Sequence, residues 1–260
     1  LLEASQRFST SCQTYVLKCD DILRQSLNPF IYFLKDLFQQ NETENRVQNK
    51  TIFVDRMKLL IEDLQNSASS EDYEILQLEL ERATSIIGSI LGYYWEDSVY
   101  SKLAAASRFS NTVLALRTLV KALSRIKPTI FIIEDLHWMD NDSRRVIETL
   151  TRNVKNYPFV ILISSRYFDD GSKPSEPVDG AVDTISLDLT GIDREAAWRV
   201  IVDRLGAEPG KKLANFILKS SSGNPFYIEQ FCLYMKESGL ISDKSGRYHL
   251  SSGKYDIPSG

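Results

Sequence analysis

Pro128-Thr-Ile-Phe-Ile-Ile-Glu-Asp-Leu-His-Trp-Met-Asp-Asn-Asp142 decides how the rest of the chain is read. Residues 130–133 are apolar and mostly β-branched, which predicts a short strand buried on both faces. Two acids, Glu134 and Asp135, follow at its C-terminal end. In open α/β sheets, ligands bind outside that end of the strands. A buried strand delivering two carboxylates there suits holding a hydrated Mg²⁺ and orienting a water beside a nucleotide phosphate. The same residues also suit a plain strand end followed by a helix cap. Asp140 or Asp142 would then cap a helix carrying Val146, Ile147, Leu150 and Val154.

Working outward, residues 159–165 read as a second buried strand, and Arg166 follows it directly. Its guanidinium is expected at the same sheet edge as Glu134 and Asp135, where it can reach a terminal phosphate. A surface ion pair with Asp169, Asp170 or the two acids is the structural alternative. Residues 167–182 are rich in Gly, Pro and Asp and read as loop, and residues 183–189 alternate as a third strand of this half. Upstream, residues 14–19 are rich in strand formers, and Asn28-Pro29 reads as a cap with Pro at the first helical position. That helix places Phe30, Phe33, Leu34 and Leu37 on one face. Residues 39–50 read as loop; 55–64, 71–88 and 111–126 have helical spacing, as do Leu1, Leu2, Ala4 and Phe8. Helices follow at 193–205, 210–220 and 225–238, with Gly239 just past the last, and the tail from 241 to 257 can hold a hairpin. Strands alternating with helices up to 189 imply a mostly parallel sheet, succeeded by a helical domain.

The chain has 260 residues, 43% hydrophobic and 25% charged, an ordinary globular composition. A net charge of −4 weighs against nonspecific nucleic-acid binding, which rewards basic surfaces. No apolar run approaches the ~18 residues of a membrane span, and the N-terminus lacks the pattern of a signal peptide. Three cysteines (Cys12, Cys19 and Cys232) are odd in number and lack metal-ligand spacing, as suits reduced thiols in a cytoplasmic protein. The chain opens at Leu1 without an initiator Met, and a fragment of a longer polypeptide is expected.

The strand with its acids has the Walker B pattern. With Leu136-His137-Trp138 and Asp140 it resembles the hhhh-D-D-L-H-W-x-D signature of STAND-class P-loop ATPases, AAA-like regulators of signalling. Ser222-Gly223-Asn224-Pro225-Phe226 with Glu229 resembles the G-N-P-F-x-x-E segment of their helical lid, and residues 187–197 resemble the approach to that lid. The likeness covers nearly the whole chain, with residues 40–105 weakly patterned. It implies an α/β P-loop NTPase-like parallel sheet with flanking helices, its first strand and P-loop missing. On this reading 1–189 is the nucleotide-binding core, 190–240 the lid, and 241–260 a tail or the start of another domain. The resemblance implies ATP and Mg²⁺ as cofactors: Glu134 orienting Mg²⁺, Asp135 polarising the attacking water, and Arg166 sensing the γ-phosphate. Gly223, Asn224 and Pro225 would lie near the base. His137 would position a water or sense phosphate, or else be a hydrogen-bonded, partly buried histidine. Relatives of this kind act on an adjacent effector domain of the same polypeptide and can oligomerise through the ATPase domain.

Two departures stand out. Glu134 replaces the usual Asp, and no Gly-x-x-x-x-Gly-Lys-Ser/Thr occurs in the chain. The loop is therefore expected just upstream of Leu1. Three functions compete: an ATP-driven regulatory switch, a degenerate non-catalytic scaffold controlling a neighbouring domain, and a nucleic-acid-handling AAA+ relative, against which the acidic balance weighs.

Overall fold

The computed structural model describes residues 11–22, 25–67, 71–243 and 246–251. The helix expected around Leu1 to Phe8 and the tail beyond residue 251 lie outside them. The chain divides into two compact units, Leu1–Asp183 and Thr184–Gly260.

The first unit is α/β. Strands β1 (Gln13–Lys18), β2 (Thr129–Glu134) and β3 (Phe159–Ile163) form a parallel sheet in the order β1-β2-β3. Lys18 pairs with Glu134 at one end and Thr129 with Phe159 at the other. The apolar run of β2 thus occupies the middle, where both faces are covered, and Ile132 and Ile133 are fully buried. On one face Tyr15 stacks on Phe131 at 5.8 Å, Phe131 meets Phe159 edge-on at 6.1 Å, and Phe33 sits edge-on to Tyr15 and Phe131. Such offset and edge-to-face pairs add about 0.5–1.5 kcal/mol each beyond area burial. Phe33 comes from α1 (Asn28–Leu37). The expected Asn28 cap is corrected here. Leu27, with φ 61°, is the residue before the helix, and Asn28 is already helical and buried.

Between α1 and β2 stands a helical layer: α2 (Arg46–Ser67), α3 (Glu71–Ile90), the single turn α4 (Val99–Lys102) and α5 (Ala105–Ile126). Each long helix turns one stripe inward: Phe53, Met57, Leu60 and Leu64; Leu76, Leu80, Ala83 and Ile87; Leu116, Leu119, Val120 and Leu123. Fully burying each large apolar side chain contributes about 1.5–3 kcal/mol, so Leu80→Ala should cost about 2–5 kcal/mol. Helix α2 starts earlier than its periodicity predicts, because its first turn carries the exposed Val47. Asn49, expected in a loop, is helical and exchanges hydrogen bonds with the Asn41 backbone.

Helix α6 (Asn141–Leu150) links β2 to β3. After β3, the loop is tied back to the end of α6: the Asp179 N–H donates to Thr151 Oγ1 at 2.9 Å, and Arg152 pairs with Asp179. Residues 183–189 form no strand, contrary to their alternation, and Ile185, Leu187 and Leu189 are 87%, 81% and 96% exposed. Alternation selects which side chains a partner strand would bury; none pairs here among the described residues.

The second unit packs α7 (Arg194–Leu205), α8 (Lys211–Ser221) and α9 (Pro225–Glu237) around Ile201, Leu205, Ile217, Ile228, Cys232 and Met235. Strands β5 (Ile241–Asp243) and β6 (Arg247–Leu250) make the tail hairpin, and the two-residue β4 (Glu208–Pro209) adds parallel to β6. No helix among the described residues is long and apolar enough to cross a membrane.

Candidate functional site

The C-terminal edge of the parallel sheet gathers the charged residues that the sequence singles out. Strand β2 ends at Glu134, and Asp135 adopts the left-handed conformation (φ 57°, ψ 50°). Asp tolerates that region better than most side chains. The chain thereby leaves the sheet and enters a one-turn 3₁₀ helix, Leu136–Trp138. Leu136, 1% exposed, anchors the turn in the core, and its N–H donates to Ser164 O at 3.0 Å at the end of β3. Arg144 braces it from α6, donating to Leu136 O at 3.0 Å and to Ser175 O at 2.9 Å.

The two acids differ. Glu134 is partly buried, and its carboxylate has no hydrogen-bond or ion-pair partner among the described residues. The Asp135 side chain is 39% exposed, with Oδ1 4.0 Å from His137 Nδ1. Burial pushes the Cys19 thiol up to about 12, with Asp140 and Asp135 adding to the rise and Arg144 opposing it. Cys19 sits where β1 ends, its N–H donating to Glu134 O at 3.3 Å.

Arg166 emerges at this edge, as its position after β3 predicts. Its guanidinium lies 5.9 Å over the Trp138 ring. Among the described residues it pairs with neither Asp169 nor Asp170, the ion-pair alternative. His137 is nine-tenths buried at its side chain and hydrogen-bonded, and Trp138 packs at 4.5 Å from the imidazole. A cavity of about 560 Å³ opens beside the turn, lined by Ser26, His137, Trp138, Met139 and Asp140 with the first residues of α6. It is open to solvent along much of its rim.

Asp140, not Asp142, caps α6, its carboxylate accepting from the Ser143 N–H at 2.9 Å and from Ser143 Oγ at 2.6 Å. Asp142 instead accepts from Ser26 Oγ at 2.7 Å. The sequence reading missed Arg144, which lies one turn beyond the cap and carries no motif signature.

Gly223, Asn224 and Pro225 belong to the second unit and start α9 as their chemistry predicts. Gly223 has φ 75°, the Asn224 side chain accepts from the Phe226 N–H at 3.0 Å, and Pro225 is at the first helical position. Gly191 approaches so closely that a Cβ there would lie 2.5 Å from Ser222 O.

Among the described residues, no three His, Cys, Asp or Glu side chains gather as a metal cage. Glu134, whose carboxylate has no partner among the described residues, and the part-exposed Asp135 are the groups at this edge that would hold a hydrated cation.

No known protein family and no solved structure matches the chain. It is 26% identical over 145 residues to an uncharacterized protein of Rhizobium meliloti (strain 1021), an alignment covering 53% of this chain and 14% of that relative. The chain thus spans a small part of the relative it resembles.

Proposed function

We propose that this chain is the ATP-binding and ATP-hydrolysing switch of a larger signalling polypeptide, with a P-loop NTPase-like core and a helical lid beginning at α7. The observation that carries the reading is that Glu134 and Asp135 end β2 and Arg166 follows β3 at the C-terminal edge of one parallel sheet, with His137 Nδ1 accepting the Arg166 backbone N–H. MgATP, when bound, supplies the scissile phosphoanhydride and the neutralising charge on its phosphates. Glu134 would hold the hydrated Mg²⁺, and Asp135 would orient the attacking water and draw its proton. Arg166 would leave the Trp138 face to meet phosphate charge. Catalysis of this kind is mostly positioning and charge stabilisation, and its output is a conformational change rather than a product. The effector that such a switch controls would be another domain of the same polypeptide.

Turnover of MgATP by the longer polypeptide tests the assignment. Asp135→Asn should keep nucleotide binding and lower turnover by about a hundredfold or more, the range of general-base removal. Unimpaired turnover would remove Asp135 from the mechanism. A second reading, a non-catalytic scaffold, is favoured by the absence of Gly-x-x-x-x-Gly-Lys-Ser/Thr from these 260 residues and by Glu134 in place of Asp.

A further inference from the structure

His137 and Trp138 occupy one short turn, and both touch Arg166, which enters the sheet edge from a different strand. The Arg166 backbone N–H donates to His137 Nδ1 at 3.4 Å, across 29 positions of sequence. Ser165 Oγ lies 3.4 Å from the same ring nitrogen. A backbone N–H can only donate, so Nδ1 must present its lone pair and the ring proton sits on Nε2. In that tautomer Nδ1 has no proton to offer Asp135 and is already engaged, which leaves Nε2 alone for any ligand. The imidazole is nine-tenths buried, so the enclosing turn sets its orientation. Trp138 completes the arrangement by carrying the Arg166 guanidinium over its face. Ser164 is still bonded to Ile133 and Leu136, but residues 165–168 have no regular structure, so the strand pairing itself stops short of Arg166.

We propose that His137 is a positioning residue for Arg166: through Nδ1 it holds the Arg166 backbone, so that the turn after β2 dictates where the guanidinium after β3 begins. The sheet ladder and the Leu136–Ser164 bond join β2 to β3 as far as Ser164, and the His137 bond carries that registration on to Arg166. The proposal rests on the reading above only in taking the Arg166 guanidinium to face phosphate. The hydrogen bond itself is tested without nucleotide.

The first arm uses the unsubstituted chain. Ring-¹⁵N NMR of His137 at neutral pH should show an unprotonated Nδ1 and a protonated Nε2; a proton on Nδ1 would overturn the proposal. The second arm uses isosteres. His137→Asn places an acceptor near the Nδ1 position, whereas His137→Gln places it near Nε2. Amide exchange at Arg166 should run about fivefold faster in the Gln variant, the effect of losing one hydrogen bond, and return toward the original rate in Asn. Equal exchange in all three proteins would overturn it. In the longer polypeptide, the Gln variant should lower kcat for MgATP with KM little changed, and Asn should restore it. If MgATP is not turned over at all, the proposed ATPase fails while the exchange result still decides the role of His137.

Discussion

The Asp140 carboxylate accepts the backbone N–H of Leu27 at 3.2 Å, joining positions 113 apart, while it also caps α6 through Ser143. Leu27 is buried and held at φ 61°, a conformation that costs a non-glycine residue about 1–2 kcal/mol. One carboxylate therefore seats the first turns of α1 and α6 on the same side of the turn that carries His137 and Trp138.

Asp140→Ala should destabilise the first unit by about 2–3 kcal/mol, because a cap is worth about 1 kcal/mol and the buried Leu27 N–H loses its acceptor. Asp140→Asn, which keeps an acceptor oxygen, should lose less. Urea titration of the two variants measures the difference, and equal stability of the Ala variant and the original chain would show that the cap is dispensable.

Gly223→Ala should destabilise the second unit by about 2–3 kcal/mol. The position has φ 75°, and a Cβ would lie 2.9 Å from Ile192 O. The Ile192 N–H also donates to Gly223 O at 2.7 Å, so the strain cannot relax by moving the strands of chain apart without breaking that bond. Thermal melting followed by far-UV circular dichroism reads the loss, while Gly239→Ala, whose Cβ meets nothing, should cost less.

Two thiols should be inert. Burial pushes Cys19 up to about 12 and Cys232 up to about 11. The thiolate is the nucleophile, so neither should be alkylated by iodoacetamide at about pH 8 until the chain unfolds. Both folded values lie above the ordinary 9.0, so folding favours the protonated form. That contribution is whole below about pH 9 and is lost as pH rises through the folded values. Burial likewise lifts the Tyr15 phenol to about 12, so unfolding should become easier between pH 9 and 12. Rapid labelling of folded Cys232, or stability rising across that interval, would contradict this account.

The sequence made the sheet legible where hydrophobic burial alone decides. Residues 130–133 became the buried central strand, whereas 159–163, expected to be buried as well, form the edge strand beside it with Val160 54% exposed, because an apolar run does not report whether a further strand covers it. Helix stripes such as Val113, Leu116, Val120 and Leu123 were equally plain, since burial requires that spacing. The alternation of Ile185, Leu187 and Leu189 misled, because a strand exists only when a neighbour supplies hydrogen bonds, and no local pattern reports a neighbour. The cap on α1 failed for a similar reason: Asn28 has the right chemistry, but tertiary contacts turned Leu27 into the left-handed position and buried the Asn. At the site, Glu134, Asp135 and Arg166 were legible from strand ends. The bond from Arg166 to His137 and the brace from Arg144 were not, because each joins loops that meet only once β2, β3 and α6 have packed.

The most direct test of the ATP-switch reading is a calorimetric titration of MgATP into the longer polypeptide proposed above. The account predicts binding at about micromolar affinity, retained in Asp135→Asn. No heat of binding from the longer polypeptide would contradict it and leave the non-catalytic scaffold as the better description.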